Sequence, residues 1–81
     1  MKAIKKWSVV VNGVKTSISL ENEFWFAFDT VARAAGTSKG NVLTTLSEQH
    51  TNLSSAVRVA VLTYYVERAQ MLETIMRNTN I

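Results

Sequence analysis

The sequence contains no cysteine and a single histidine, His50. The absence of cysteine excludes disulfide scaffolds, thiolate zinc sites and cysteine nucleophiles. His50 falls in a predicted connector without an acid or thiol at a suggestive spacing, and Asp29, the sole aspartate, falls on a predicted helix face. Because acid–base and nucleophilic catalysis need matched groups of this kind, we expect no enzymatic activity, no metal site and no cofactor.

Proline is also absent, glycine occurs three times, and long apolar runs are missing. The longest strongly apolar stretch, residues 59–66, is far shorter than the ~20 residues that span a bilayer. The N-terminal lysines are not followed by the apolar core of a signal peptide. The 81 residues, which carry a formal charge of +3, therefore predict one cytoplasmic domain over residues 1–81. Small domains bury a limited core, which favours a dimer.

A β-hairpin is predicted over residues 7–20. Asn12-Gly13 is the dipeptide that best tolerates the two positive φ angles of a type I′ turn, and it follows the β-branched run 9–11. Beyond the turn, polar and apolar residues alternate, so one strand face is apolar and the other is small and polar. The polar face carries Lys15, Ser17 and Ser19.

Helical spacing replaces this alternation after the second strand. A first helix is predicted over residues 21–35 and a second over residues 38–48. Gly36 suits the left-handed position that ends many helices, and Ser38 can cap the helix that follows. A third and longest helix, residues 54–77, is predicted from apolar and long side chains about 3.6 residues apart: Val57, Val61, Tyr64, Arg68, Leu72 and Ile75.

Residues 31–46 are similar to the helix-turn-helix of sugar-operon repressors. A small alanine precedes the turn glycine, a serine follows as the cap, and Val42 then enters the core. This resemblance implies that the second helix enters the major groove with Ser38, Lys39 and Asn41 facing the bases. The pattern departs at Thr37, where a second apolar residue is usual, and Gly40 weakens the recognition helix.

A second resemblance covers residues 5–65. The run Thr16-Ser17-Ile18-Ser19-Leu20-Glu21 with Phe24-Trp25, followed by Asn52-Leu53-Ser54-Ser55-Ala56-Val57-Arg58, resembles a small bacterial subfamily of the ribbon-helix-helix superfamily, to which the Arc and methionine repressors belong. The resemblance implies an α+β, mostly helical fold in which two chains pair their strands into a ribbon within an intertwined homodimer. It also implies sequence-specific binding of duplex DNA and transcriptional repression.

The resemblance gives the polar strand face a role, because only the outward side chains of a ribbon meet base edges. Those side chains are Lys15, Ser17 and Ser19. The start of the second helix would bind a phosphate through Ser38, Lys39 and Gly40, and Lys2, Lys5 and Lys6 would reach flanking phosphates. A lone chain is expected to expose four residues that the dimer buries: Ile18, Leu20, Phe24 and Phe28.

Two segments exceed the minimal ribbon-helix-helix pattern. The strand before Asn12 would flank the ribbon and make a four-stranded sheet in the dimer. The third helix would join dimers into a higher oligomer or bind a partner protein. Arg58, near its start, would reach DNA or pair with an acidic residue. Two alternatives stay open: helix-turn-helix readout, and an antitoxin-like interaction module that dimerises without reading bases.

Overall fold

The computed structural model describes residues 4–79 and contains a hairpin followed by three helices, which confirms the predicted fold class. Strand β1 begins at Ile4 rather than Trp7, because residues 4–6 pair with residues 19–21 of β2. Lys2 lies outside the described residues. The elements are β1 (Ile4–Val11), β2 (Val14–Glu21), α1 (Asn22–Ala34), α2 (Lys39–Ser47) and α3 (Leu53–Thr79).

The turn between the strands fixes the register of the hairpin. Asn12 and Gly13 both have positive φ, 53° and 77°, as a type I′ turn requires. Val11 is thereby placed opposite Val14, and each later pair follows in order along the strands. The register places Ser8 of β1 opposite Ser17 of β2.

The connection between α1 and α2 is a closed turn. Gly36, at φ 73°, ends α1, with its amide donating to the Arg33 carbonyl and the Thr37 amide donating to the Ala32 carbonyl, both at 3.0 Å. This pair of bonds is a Schellman motif. Ser38 then caps α2, since its Oγ accepts from the Asn41 amide at 3.1 Å.

The inner face of the hairpin packs on all three helices. Ile18, Leu20, Phe28 and Val57 are fully buried, and Phe24 packs beside them half-buried. The expectation that a lone chain exposes Ile18, Leu20 and Phe28 is therefore wrong. The start of α3 covers the inner face within the same chain, so exposure of these residues no longer argues for a dimer.

Helix α3 is attached to the body only through its first half. Its buried residues end at Val61, and every described side chain from Tyr65 to Asn78 is exposed. No helix within residues 4–79 combines the length and apolar character needed to cross a membrane. Leu53, Val57 and Val61 pack into the core, and two polar residues of α3, Ser54 and Arg58, reach the edge of β2.

Arg58 should contribute measurably to stability. Its guanidinium donates to both carboxylate oxygens of Glu21, at 3.0 and 3.3 Å, and to the Ser19 carbonyl at 3.2 Å. A lysine carries its donors on a single nitrogen, so it cannot reproduce the two-nitrogen contact of Arg58 with the Glu21 carboxylate. We expect Arg58→Lys to lower the melting temperature by about 5 °C, measured by circular dichroism.

The matched control is Arg77→Lys. Arg77 pairs with Glu73 at 3.6 Å, with both side chains 71% exposed, and such surface pairs contribute little. Equal effects of the two substitutions would contradict a structural role for Arg58.

Candidate nucleic-acid interface

The polar face of the hairpin points away from the helices. Lys15 and Ser17 are exposed and Ser19 is half-buried, as the alternation of β2 predicts. The cross-strand partners of Lys15, Ser17 and Ser19 are Val10, Ser8 and Lys6, respectively. The polar face therefore spans both strands of the hairpin and includes Ser8, which is not among the residues expected from the sequence. The two-residue turn was the available signal, because it fixes the register that carries Ser8 there.

The edge of β2 opposite β1 carries backbone groups that make no bonds within the hairpin. The Ser19 amide donates to Ser54 Oγ at 2.9 Å and the Ser19 carbonyl accepts from Arg58, so the backbone groups of Ser19 point away from β1. Residues two apart in an antiparallel strand present their amides to the same side. The amides and carbonyls of Lys15 and Ser17 therefore line the outer edge of β2.

Arg58 also sets the charge at the end of the polar face. Glu21 continues the outward series 15, 17, 19, and its carboxylate would repel a phosphate backbone. The Glu21 backbone amide and then the Arg58 guanidinium hold the pKa of this carboxyl below its ordinary value. The interpretation of Arg58 as the partner of an acidic residue is thus confirmed, and its charge offsets that of Glu21.

The N-terminus of α2 offers backbone donors. The first amides of a helix lack intrahelical acceptors. Ser38 Oγ accepts from the Asn41 amide. The amides of Lys39 and Gly40 are therefore left facing solvent. Gly40 lacks a side chain that would limit the approach of an anion. The phosphate site expected at Ser38, Lys39 and Gly40 therefore consists of two amides beside a capping hydroxyl.

The side chains proposed for helix-turn-helix readout already have partners within the chain. Lys39 Nζ lies 3.3 Å from Asp29 Oδ1, and Asn41 Nδ2 donates to Thr37 Oγ1 at 3.2 Å. The Arg33 guanidinium and then Lys39 lower the pKa of Asp29. Asp29, which the sequence places on a helix face, thus connects α1 to the start of α2.

The two flanking lysines of β1 lie on opposite faces. Lys6 is on the outward face beside Ser19. Lys5 is on the inner face, where the Trp25 indole donates to its carbonyl at 3.0 Å. Lys5 lines a cavity of about 390 Å³ with Trp7, Trp25, Lys39 and Gly40. The fold therefore brings Lys5 beside the start of α2 and keeps Lys6 on the strand face.

The comparisons with known proteins agree with this architecture. Residues 4–65 match the ribbon-helix-helix domain, and the chain belongs to that family. A solved structure, that of an uncharacterized protein from Bordetella pertussis Tohama I, is similar to this chain with 26% identity and a TM-score of 0.72. The match covers 85% of this chain and 61% of that one. No curated protein gives a significant match. The family suggests a DNA-binding regulator.

The lowered pKa of Glu21 predicts an acid-sensitive contact. A carboxyl whose pKa falls on folding stabilises the protein at neutral pH, and this contribution is lost as pH falls through the folded-state pKa. The loss should begin near the unfolded-chain value of about 4.3. We expect Glu21→Gln to lower stability at pH 7 and to flatten its decline between pH 5 and 3, measured by urea unfolding. Parallel pH curves for Glu21→Gln and wild type would contradict this.

Proposed function

We propose that this chain is a homodimeric, sequence-specific DNA-binding protein that represses transcription by reading the major groove with β2. One observation carries the proposal: β2 has a polar outward face beside an outer edge on which the backbone groups of Lys15 and Ser17 are unpaired. The face supplies side chains that read bases, and the edge supplies the means to join a second copy. The family membership supports DNA binding by this element.

Antiparallel pairing of the outer β2 edges would produce a four-stranded sheet with β2 of each copy at the centre. An exposed, unpaired edge is otherwise a liability for aggregation. In this arrangement Lys15 and Ser17 of both copies lie together on the outward face. Lys15 can donate to guanine O6 and N7, while Ser17 can donate or accept and discriminates less sharply.

The remaining basic groups would position the sheet on the backbone. Lys6 flanks the reading face, and Lys5 lies with the free amides of α2 at one cavity. Phosphate contacts of this kind fix orientation and give affinity without sequence preference. These basic groups would hold the polar face of the hairpin against DNA. A dimer held in this way on an operator site would repress transcription by occupying that site.

The test compares two matched double variants. Lys15→Ala/Ser17→Ala and Lys39→Ala/Asn41→Ala each remove one lysine and one small polar side chain. Wild type first selects a binding sequence from a random duplex pool, and fluorescence anisotropy then measures affinity for that duplex and for a scrambled one at about 50–200 mM salt. The strand variant should lose sequence preference by about 10–100-fold. The helix variant should lose affinity for both duplexes alike, because it leaves the Asp29 carboxylate without its Lys39 partner beside the α2 amides and so repels phosphate.

The opposite pattern, with preference lost in the helix variant, would replace the proposal with helix-turn-helix readout. If wild type enriches no sequence, the proposal is overturned in favour of an interaction module that dimerises without reading bases. Ser8→Ala is a further variant of the strand face, and it should reduce preference less than Lys15→Ala because its strand flanks the centre.

Dimerisation through the β2 edge predicts a specific effect of proline at position 17. The Ser17 amide makes no bond to β1, so Ser17→Pro removes an edge donor without removing a hairpin bond, and proline is tolerated on edge strands. We expect a folded monomer, judged by circular dichroism and analytical ultracentrifugation. Ser17→Ala, which keeps the amide, should remain a dimer. A dimeric Ser17→Pro would show that the copies associate elsewhere.

A further inference from the structure

The distal half of α3, residues 62–79, carries a stripe of exposed apolar side chains. Leu62 is 61% exposed, Tyr65 40%, Leu72 52% and Met76 68%. With exposed Ala69, the stripe follows alternating steps of three and four residues. This spacing is the a and d pattern of a two-stranded coiled coil: Leu62, Ala69 and Met76 at a, and Tyr65 and Leu72 at d.

Charged residues beside the stripe select both the partner and its direction. In the same heptad frame Arg68 is at g and Glu73 is at e of the next heptad, five residues later. In a parallel pair of identical helices, a g residue of one helix lies beside the e residue five positions later on the other helix. Two copies in parallel would therefore place Arg68 of each near Glu73 of the other. In an antiparallel pair, g meets g and e meets e, so like charges would face each other.

The attachment of α3 supplies the proximity that so short a coiled coil needs. Ser54 and Arg58 bind α3 to the outer edge of β2, and that edge joins the two copies in the proposed dimer. The two α3 helices would therefore start on either side of the twofold axis. Tethering of this kind raises the effective concentration of one helix for the other.

We propose that the distal halves of α3 from two copies form a parallel coiled coil with Arg68–Glu73 pairs across its flanks. This rests on the homodimer of the proposed function, although not on DNA binding. Glu73 also pairs with Arg77 of its own helix at 3.6 Å, and Arg77 lies outside the a, d, e and g positions. The coil would account for an apolar stripe on a helix that leaves the body of the protein.

A charge exchange tests the pairing. Arg68→Glu and Glu73→Arg should each raise the dimer dissociation constant about tenfold, because each variant alone places like charges in both flanking pairs. An equimolar mixture should recover wild-type affinity within about threefold, since both pairs in the mixed dimer join opposite charges. The matched control is Glu67→Arg, which makes the same charge change at the outward f position and should behave as wild type. Dissociation constants come from analytical ultracentrifugation.

Disulfide cross-linking gives a second measurement. Because the sequence itself contains no cysteine, each introduced cysteine is the sole thiol of its chain. Under mild oxidation, Leu62→Cys and Leu72→Cys should each form disulfide-linked homodimers and should not cross-link to each other. Cross-linking between Leu62→Cys and Leu72→Cys would indicate antiparallel helices and overturn the proposal. The proposal would also be overturned by a stable dimer that forms no cross-link and in which Arg68→Glu and Glu67→Arg have the same dissociation constant. That result would leave the β2 pairing intact. Cross-linked α3 in a protein that selects no DNA would uphold the coil and refute the proposed function, and a monomeric wild type would refute both.

Discussion

The contact between Arg58 and the end of β2 is the interaction on which the other features depend. It joins α3 to the last residues of β2, because its guanidinium donates to the Glu21 carboxylate and to the Ser19 carbonyl. It also lies over the Phe24 ring at 5.9 Å. Leu53, Val57 and Val61 of α3 cover Ile18 and Leu20, and Arg58 adds a polar contact at the edge of that core. Without Arg58 the carboxylate of Glu21 would stand uncompensated on the outward face. One side chain thus connects core burial to the charge of the proposed DNA surface.

The strict alternation of β2 separates stability from recognition. Because successive side chains point to opposite faces, the inner residues can be fully buried while Lys15 and Ser17 stay exposed. The outward face can therefore change in sequence without disturbing packing. Ser19 is the exception, since its backbone is bound by α3 and its side chain is half-buried. Among the three predicted base-contacting residues, it is the one whose position the core constrains.

Local signals in the sequence were sufficient for much of the fold. The Asn12-Gly13 turn, the alternation of β2, the glycine that ends α1 and the serine that caps α2 each depend on neighbours in sequence. The contacts that determine the site are long-range. Ser54 and Arg58 act on residues more than thirty positions earlier, and nothing in their local pattern shows which edge they reach. For the same reason the sequence predicts burial of Ile18, Leu20 and Phe28 by a dimer, although the chain itself covers them.

The start of β1 shows the same limitation, because lysines at positions 5 and 6 indicate a solvated terminus rather than a strand. Pairing with residues 19–21 and the indole of Trp25 place them in the sheet. This position gives β1 a role in the proposed complex. Adjacent strands lie about 4.8 Å apart, so the outer strands of a four-stranded sheet stand about 14 Å apart, slightly more than the ~12 Å width of the major groove. The β1 strands would therefore meet the groove walls, where the phosphates are, while the two β2 strands reach the bases. The extra strand would then extend backbone binding through Lys6, while Ser8, opposite Ser17, lies beside the reading face.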